Sequence, residues 1–232
     1  MSTVYPMTAP GQPAVLGPGK LTKVRRLAER ASYDRELVYS VLDEAFICHV
    51  ATLLNGEPVA LPTAYARVDD AIYLHGAPAN ATLERAVGAG MVSVTVTLLD
   101  GLVLARSTFH HSINYRSVVV FGPVSVVTSS DEKRRALEKL VEHIVPGRSR
   151  DARAPTEAEL RATAVVKVEI AEASAKVRTG GPSDDAEDVA ISRIWAGQLP
   201  LKWAPQDPVP DEDCPDVAVP DYIAGYRRPG WD

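Results

Sequence analysis

The segment Met91–Leu98 reads MVSVTVTL, with Val92, Val94 and Val96 alternating against Ser93, Thr95 and Thr97. A strict period of two fits a strand with one buried and one solvated face, and it fits no helix. The neighbouring segments repeat that signal. Phe46–Leu53 is apolar and β-branched, Asn55-Gly56 is a hairpin turn, and Pro58–Arg67 is its partner strand. Asp69-Asp70 turns the chain into Ala71–His75, and Asp100-Gly101 turns Met91–Leu98 into Leu102–Ser107. After the polar loop FHHSIN comes a long strand, Tyr115–Val127, and Thr163–Ile170 alternates again as a further strand.

Helices are few. Asp34 is an N-cap for a helix to about Ala45 with Leu37, Val38, Val41 and Leu42 on one face. Asn80 caps a short helix through Leu83 and Val87 that ends at Gly88 and Gly90. Ser129 to Glu132 forms a capping box for a helix burying Leu137, Leu140, Val141 and Ile144, and Thr156-x-x-Glu159 opens another. Strands and helices do not alternate over residues 46–127, which excludes a doubly wound parallel sheet. The expected class is mainly β (α+β), an antiparallel barrel of six strands with helices on its outside.

Charge divides the chain. Residues 204–232 hold seven acids and two bases, so this Pro-rich stretch carries the whole net charge of −5. The body is balanced and lacks the basic stripe that binds a phosphate backbone, so nucleic acid is not an expected partner. No apolar run is long enough to span a bilayer, no signal peptide precedes the body, and two cysteines (Cys48, Cys214) make no disulfide framework. A cytoplasmic protein is expected, divided into a leader (1–19), a body (20–203) and an acidic Pro-rich tail (204–232). Within the body, Lys20–Arg30 carries five bases and one acid, read as a solvated lead-in or a dock for an acidic partner or ligand. Trp195 and Trp203 lie in WAGQLPLKW, apolar enough to dock on a partner subunit, with loose packing or disorder expected beyond.

Phosphate-loop, dinucleotide-fold, zinc and hydrolase motifs are absent, and no metal site is expected. What remains are polar groups at strand ends. His75-Gly76 leads to Asn80 at a helix start, a place suited to a phosphate or simply an ordinary connection. Arg106-Ser107 and Tyr115-Arg116-Ser117 flank FHHSIN, where Arg116 is either a barrel-rim charge or a phosphate fork. His110 and His111 are adjacent on extended chain and cannot easily hold one ion together. Cys48 reads as core and His49 as a strand-face residue.

The stretches CHVATLLNGEPVALPTAYARVDDAIYLHGAPAN and LDGLVLARSTFHHSINYRSVVVFGPV, then EASAKVRTGGP, resemble the FMN-binding split barrel of the pyridoxamine 5'-phosphate oxidase family. They are most similar to its flavin-nucleotide-binding and 5-nitroimidazole-resistance subgroup, over about Thr22 to Leu201. The resemblance implies a six-stranded antiparallel split β-barrel forming a homodimer with two FMN sites at its interface. It places Pro62, Thr63 and Ala64 along the flavin ring, Leu74 and His75 beside ring and ribityl chain, and Asn80 and Thr82 near the phosphate. Tyr115, Arg116 and Ser117 contribute from the later strand. The basic residue that the family's oxidases use for the phosphate is absent from Asn80-Ala81-Thr82.

The function implied is that of an FMN-dependent oxidoreductase acting on a small molecule, with chemistry borne by the flavin. His75, Tyr65, His110 and His111 are the candidates to touch flavin or substrate. Two alternatives accompany it: a haem-binding split barrel using His75, His110 or His111 as axial ligand, and a non-catalytic flavin-binding module. A deazaflavin is a further cofactor option. Oxidation of pyridoxamine 5'-phosphate itself is not expected, because the C-terminal Arg/His pattern for that substrate is missing.

Overall fold

A computed structural model describes residues 14–54, 56–214, 216–228 and 230–231. In chain order its elements are β1 (Ala31–Ser32), α1 (Arg35–Glu44), β2 (Ile47–Leu54), β3 (Glu57–Val68), β4 (Ala71–Gly76), α2 (Ala81–Ala89), β5 (Met91–Leu104) and β6 (Ser112–Val126). Then follow α3 (Ser130–Ile144), α4 (Glu157–Arg161), β7 (Ala164–Glu169), β8 (Glu172–Arg178), α5 (Ala186–Ile191), β9 (Gly197–Pro200) and α6 (Asp221–Ala224). Six strands close a ring in the order β2–β3–β4–β7–β6–β5 and back to β2, every pairing antiparallel. This is the six-stranded split barrel expected. β8 adds to β6, β1 to β8, and β9 to the far end of β5.

The alternation of Met91–Leu98 decides which way the wall faces. Val92, Val94 and Val96 point inward and pack with Val118 and Val120 of β6, Val50 of β2 and Val166 and Val168 of β7. Each valine buried this way contributes about 1.5–3 kcal/mol. α1 brings Val38, Val41 and Leu42 to the same core, and α2 brings Leu83 and Ala86. α3 lies on the outside, where Ala136 and Leu137 cover Ala71, Tyr73 and Val165. That cover does not extend to β2, where Ile47 remains 54% exposed. Among the described residues no helix is long and apolar enough to cross a membrane.

Local signals explain most boundaries. Asp34 Oδ accepts the Leu37 N–H at 2.8 Å to start α1. Asn80 Oδ1 accepts from Thr82 N at 2.9 Å and Leu83 N at 3.3 Å to start α2, which ends on Gly90 at φ 71°. The Thr156–Glu159 capping box is complete. At Ser129 only half of a box forms, because the Glu132 carboxylate instead accepts from the Tyr73 hydroxyl at 2.8 Å. Gly122 sits where β6 crosses β7, and a Cβ there would lie 1.6 Å from the Glu169 carbonyl oxygen. Asn55 of the Asn55-Gly56 turn lies outside the described residues; Gly56 has φ +86°.

Three expectations change. Asp100-Gly101 is no turn: β5 runs on to Leu104 with a register shift between Leu99 and Gly101, a bulge. The bulge wins because Ser112–Asn114 continues the ladder with Gly101–Val103 on the far side. The leader 1–19 lies outside the described residues up to 13, but from Ala14 it is fixed: Leu16 is buried and exchanges backbone bonds with Tyr33 and Ala173. The tail is not loose throughout. Trp195 and Trp203 are 66% and 71% exposed, and residues 201–213 stay exposed, yet the chain then returns to the barrel.

That return ends on Arg228, which is buried. Its guanidinium donates to the carbonyls of Asp43 and Ala45 at 3.1 Å each, and to those of Glu44 and His143. It lies 3.9 Å from the Phe46 ring centroid, and Trp231 meets Phe46 edge-on at 5.9 Å. One side chain thus closes the C-terminal ends of α1 and α3. His143 Nε2 lies 2.7 Å from the Ala45 carbonyl and 3.1 Å from Arg228 Nη2. Burial, with Arg228 beside it, pushes the His143 imidazole down to about 4. The unfolded chain takes up this proton near pH 6.5 while the folded one refuses it. Stability is therefore complete above pH 6.5 and falls by about 3 kcal/mol on descending to pH 4. Urea unfolding at both pH values measures this slope, and His143→Gln is expected to flatten it.

Candidate functional site

β3 changes partners in mid-strand. Ile47–Leu54 of β2 pairs with Glu57–Ala64, whereas β4 pairs only with Tyr65–Val68. Residues 57–64 therefore show one edge without a strand partner among the described residues. β4 continues past this point through His75 and Gly76, held on its other edge by Val165 and Ala164. The result is a fork whose prongs are Leu61–Ala64 and His75-Gly76. An unpaired strand edge offers alternating N–H and C=O groups in a plane, which suits a flat heterocycle that carries donors and acceptors on its rim. At the tip of the β4 prong Gly76 faces Asn80, and a Cβ there would lie 2.7 Å from Asn80 Nδ2.

Pro62 is exposed and Thr63 and Ala64 are half-buried along one prong, while His75 is exposed on the other. Leu74 is wholly buried, so it backs the fork from inside the core. Tyr65 is also wholly buried, and its hydroxyl donates to the Leu42 carbonyl. Burial raises its pKa well above the usual phenol value. A side chain so placed supports the wall and cannot reach a ligand outside it.

The five histidines separate by partner. His143 is the buried ring already described. His110 lies 3.2 Å from the Asp185 carboxylate, and His111 Nδ1 lies 3.0 Å from the Ser107 carbonyl. Phe109 beside them is 88% exposed. His75 and His49 are both exposed and engage no hydrogen-bond partner among the described residues. His49 stands on β2 opposite Pro62, two strands from His75. Its place was legible: next to Cys48, which is buried with its thiol pushed up to about 12, the alternation turns His49 outward.

Arg116 is not free for a phosphate. All three of its nitrogens are taken by carboxylate oxygens, from Asp100 at 2.7 and 3.0 Å and from Glu44 at 2.9 Å and closer. These bonds, to Asp100 first and Glu44 next, raise its pKa further. Arg106 is likewise held by Asp184, at 2.7 Å. At the other expected phosphate position, Asn80 already accepts the Thr82 and Leu83 N–H groups. Tyr115 and Ser117 face outward on β6, half-buried, with Ser117 Oγ donating to the Lys176 carbonyl at 3.3 Å.

The pattern of the pyridoxamine 5'-phosphate oxidase family matches residues 34–177, from the N-cap of α1 to the penultimate residue of β8. The chain belongs to that family. Among solved structures, the flavocytochrome Anf3 of Azotobacter vinelandii is 38% identical, with 91% of this chain and 98% of that one covered at a TM-score of 0.84. A FAD and heme binding protein of Mycobacterium smegmatis is 35% identical over 86% of this chain and 98% of the other, at 0.79. A protein assigned to 5-nitroimidazole antibiotic resistance in Bacteroides thetaiotaomicron is 25% identical over 63% and 86%, at 0.54. No curated protein sequence matches the chain. Within the family's barrel, the structure thus gathers Pro62, Thr63, Ala64 and His75 at one fork. It leaves Arg116 and Tyr65 to hold the scaffold.

Proposed function

We propose that this protein is a cytoplasmic, homodimeric electron carrier that binds a flavin at the β3–β4 fork and a haem through a solvent-facing histidine. The fork carries the reading: a strand edge without a strand partner among the described residues, beside an exposed imidazole. The two relatives at 38% and 35% identity, described as a flavocytochrome and as a FAD and heme binding protein, support a second redox group beside the flavin. His75 and His49 suit an axial ligand because neither engages a hydrogen-bond partner among the described residues, and His111, whose Nδ1 meets the Ser107 carbonyl, keeps its Nε2 for the same role. A bound flavin would supply hydride or single-electron chemistry to a small-molecule substrate. The chain's part is to hold its rim on Leu61–Ala64 and to keep Tyr65 and Leu74 as a dry wall behind. The exposed apolar groups Ile47, Trp195 and Trp203 suit contact with a second subunit. Neither cysteine is in a disulfide, in keeping with a reducing compartment.

The test is the absorption spectrum of purified protein with FAD, FMN and haemin added in turn. A flavin band and a Soret band are expected, the latter lost in His75→Ala, His49→Ala or His111→Ala with the flavin band kept. Flat spectra after every addition overturn the reading. A flavin band alone, with no Soret change, leaves a flavoprotein and removes the haem.

A further inference from the structure

Two charged stretches take no part in the barrel or the fork, and they carry opposite signs. The first is the lead-in Lys20–Arg30, with bases at Lys20, Lys23, Arg25, Arg26 and Arg30 against one acid, Glu29. The second lies beyond β9, where Asp207, Asp211, Glu212, Asp213 and Asp216 follow with no base among them. Lys20, Lys23, Arg25 and Arg26 are exposed, and so is every residue from 201 to 213. None of the ion pairs among the described residues includes a member of either stretch. Glu172 meets the first stretch at the Leu21 N–H and the Thr22 hydroxyl, away from its cations. Asp211 accepts from the Asp213 N–H within its own turn.

Both stretches are tethered. The Arg26 carbonyl accepts from Lys176 Nζ at 3.2 Å. The acidic stretch leaves β9 where Leu201 N donates to the Asp100 carbonyl at 3.0 Å, and Tyr222 and Arg228 anchor it again downstream. Between these points it forms an arm. Residues 201–213 alone reach about 45 Å when fully extended, and Pro205, Pro208 and Pro210 favour that form. An arm fixed at both ends loses less entropy on docking than a free tail. It presents Trp203 and Val209, the latter 91% exposed, while Leu21 and Leu27 stand exposed among the bases. Each stretch thus combines charge with apolar groups that water does not favour. Within one chain they belong to opposite ends of α1, a helix of about 15 Å. The basic run leads into its N-cap, whereas both ends of the arm tie back to Glu44, through Asp100 and Arg116 and through Arg228.

We propose that the acidic arm of each protomer lies along the basic run of its partner, so that two equivalent contacts clasp the dimer. This rests on the homodimer of the reading above and names what fastens it. The occupant is a second copy because this chain carries both halves, five bases on one stretch and five acids on the other. A two-fold axis makes the exchange reciprocal.

Charge reversal tests the exchange, with sedimentation equilibrium as the readout. The run-reversed chain carries Lys20→Glu, Lys23→Glu, Arg25→Glu and Arg26→Glu. The arm-reversed chain carries Asp207→Lys, Asp211→Lys, Glu212→Lys and Asp213→Lys. All eight side chains are exposed, so the barrel is untouched. Each variant alone sets like charges against each other at both contacts and is expected to dimerise at least about tenfold more weakly than wild type. An equimolar mixture of the two is expected to regain wild-type affinity as a heterodimer, since both of its contacts are complementary again. Wild-type association is expected to weaken as salt rises. On the wild type, a carbodiimide that joins amines to carboxylates should give a covalent dimer whose linked peptides pair Lys20 or Lys23 with an acid of residues 207–216. Variants that dimerise as wild type does, a mixture that gains nothing over its components, or links confined to a single chain overturn the exchange and leave the homodimer standing. A wild type that sediments as a monomer at every concentration overturns both.

Discussion

Arg116→Ala is expected to lower the free energy of unfolding by about 3–5 kcal/mol, the cost of leaving a buried carboxylate without its cation. The carboxylate is Glu44, whose side chain is 7% exposed at the end of α1, against 30% for Asp100 on the bulge of β5. Glu44 suffers most, because Asp100 can turn to water. Urea denaturation measures the loss, and Arg116→Met combined with Glu44→Gln should recover most of it by removing both charges. The same variants discriminate between two roles for the residue. If Arg116 is structural, flavin affinity measured on the folded fraction stays near wild type. An Arg116→Ala protein as stable as wild type, with FMN affinity lost, would return the phosphate to this arginine.

Arg228→Ala should cost a comparable amount, about 3–5 kcal/mol, because it uncovers carbonyls at two helix ends at once. Thermal unfolding reports it as a fall of roughly 6–20 °C for a chain of this size. Arg228→Lys is expected to rescue only a minor part. An ammonium can bond one or two carbonyls but cannot present a planar fork to Asp43, Glu44, Ala45 and His143 together or stack on Phe46. Loss of this cation should also weaken the acid sensitivity set by His143, since Arg228 is the charge that, after burial, depresses its pKa. A variant with unaltered melting would mean that water replaces the guanidinium at no cost.

The ring of strands was legible because its information is local. Alternation at Met91–Leu98, glycine and aspartate at turns, and caps at Asp34, Asn80 and Thr156 each act within a few residues. β8 escaped the pattern reading because EASAKVR is alanine-rich and has low strand propensity; its pairing with β6 creates it. Asp100-Gly101 misled because a hairpin dipeptide and a bulge look alike until the opposite strand is known. The site divides in the same way. His75 follows from a strand end, whereas Pro62, Thr63 and Ala64 come from the family resemblance, since nothing local marks the mid-strand point where β3 changes partners. The commitment of Arg116 to Glu44 follows from neither, since these residues lie 72 positions apart and no local rule couples them.

The closing of α1 by Arg228 also bears on how the protein is made. Glu44 and Arg228 are separated by 184 positions, so an early helix keeps bare carbonyls until a segment far downstream has been synthesised. During translation the barrel wall can assemble while that end stays open, an exposed state for chaperones to shield. Nascent or clipped products that stop before Arg228 would carry every strand of the ring and still lack the last fastening, which makes them the forms a cellular protease meets first.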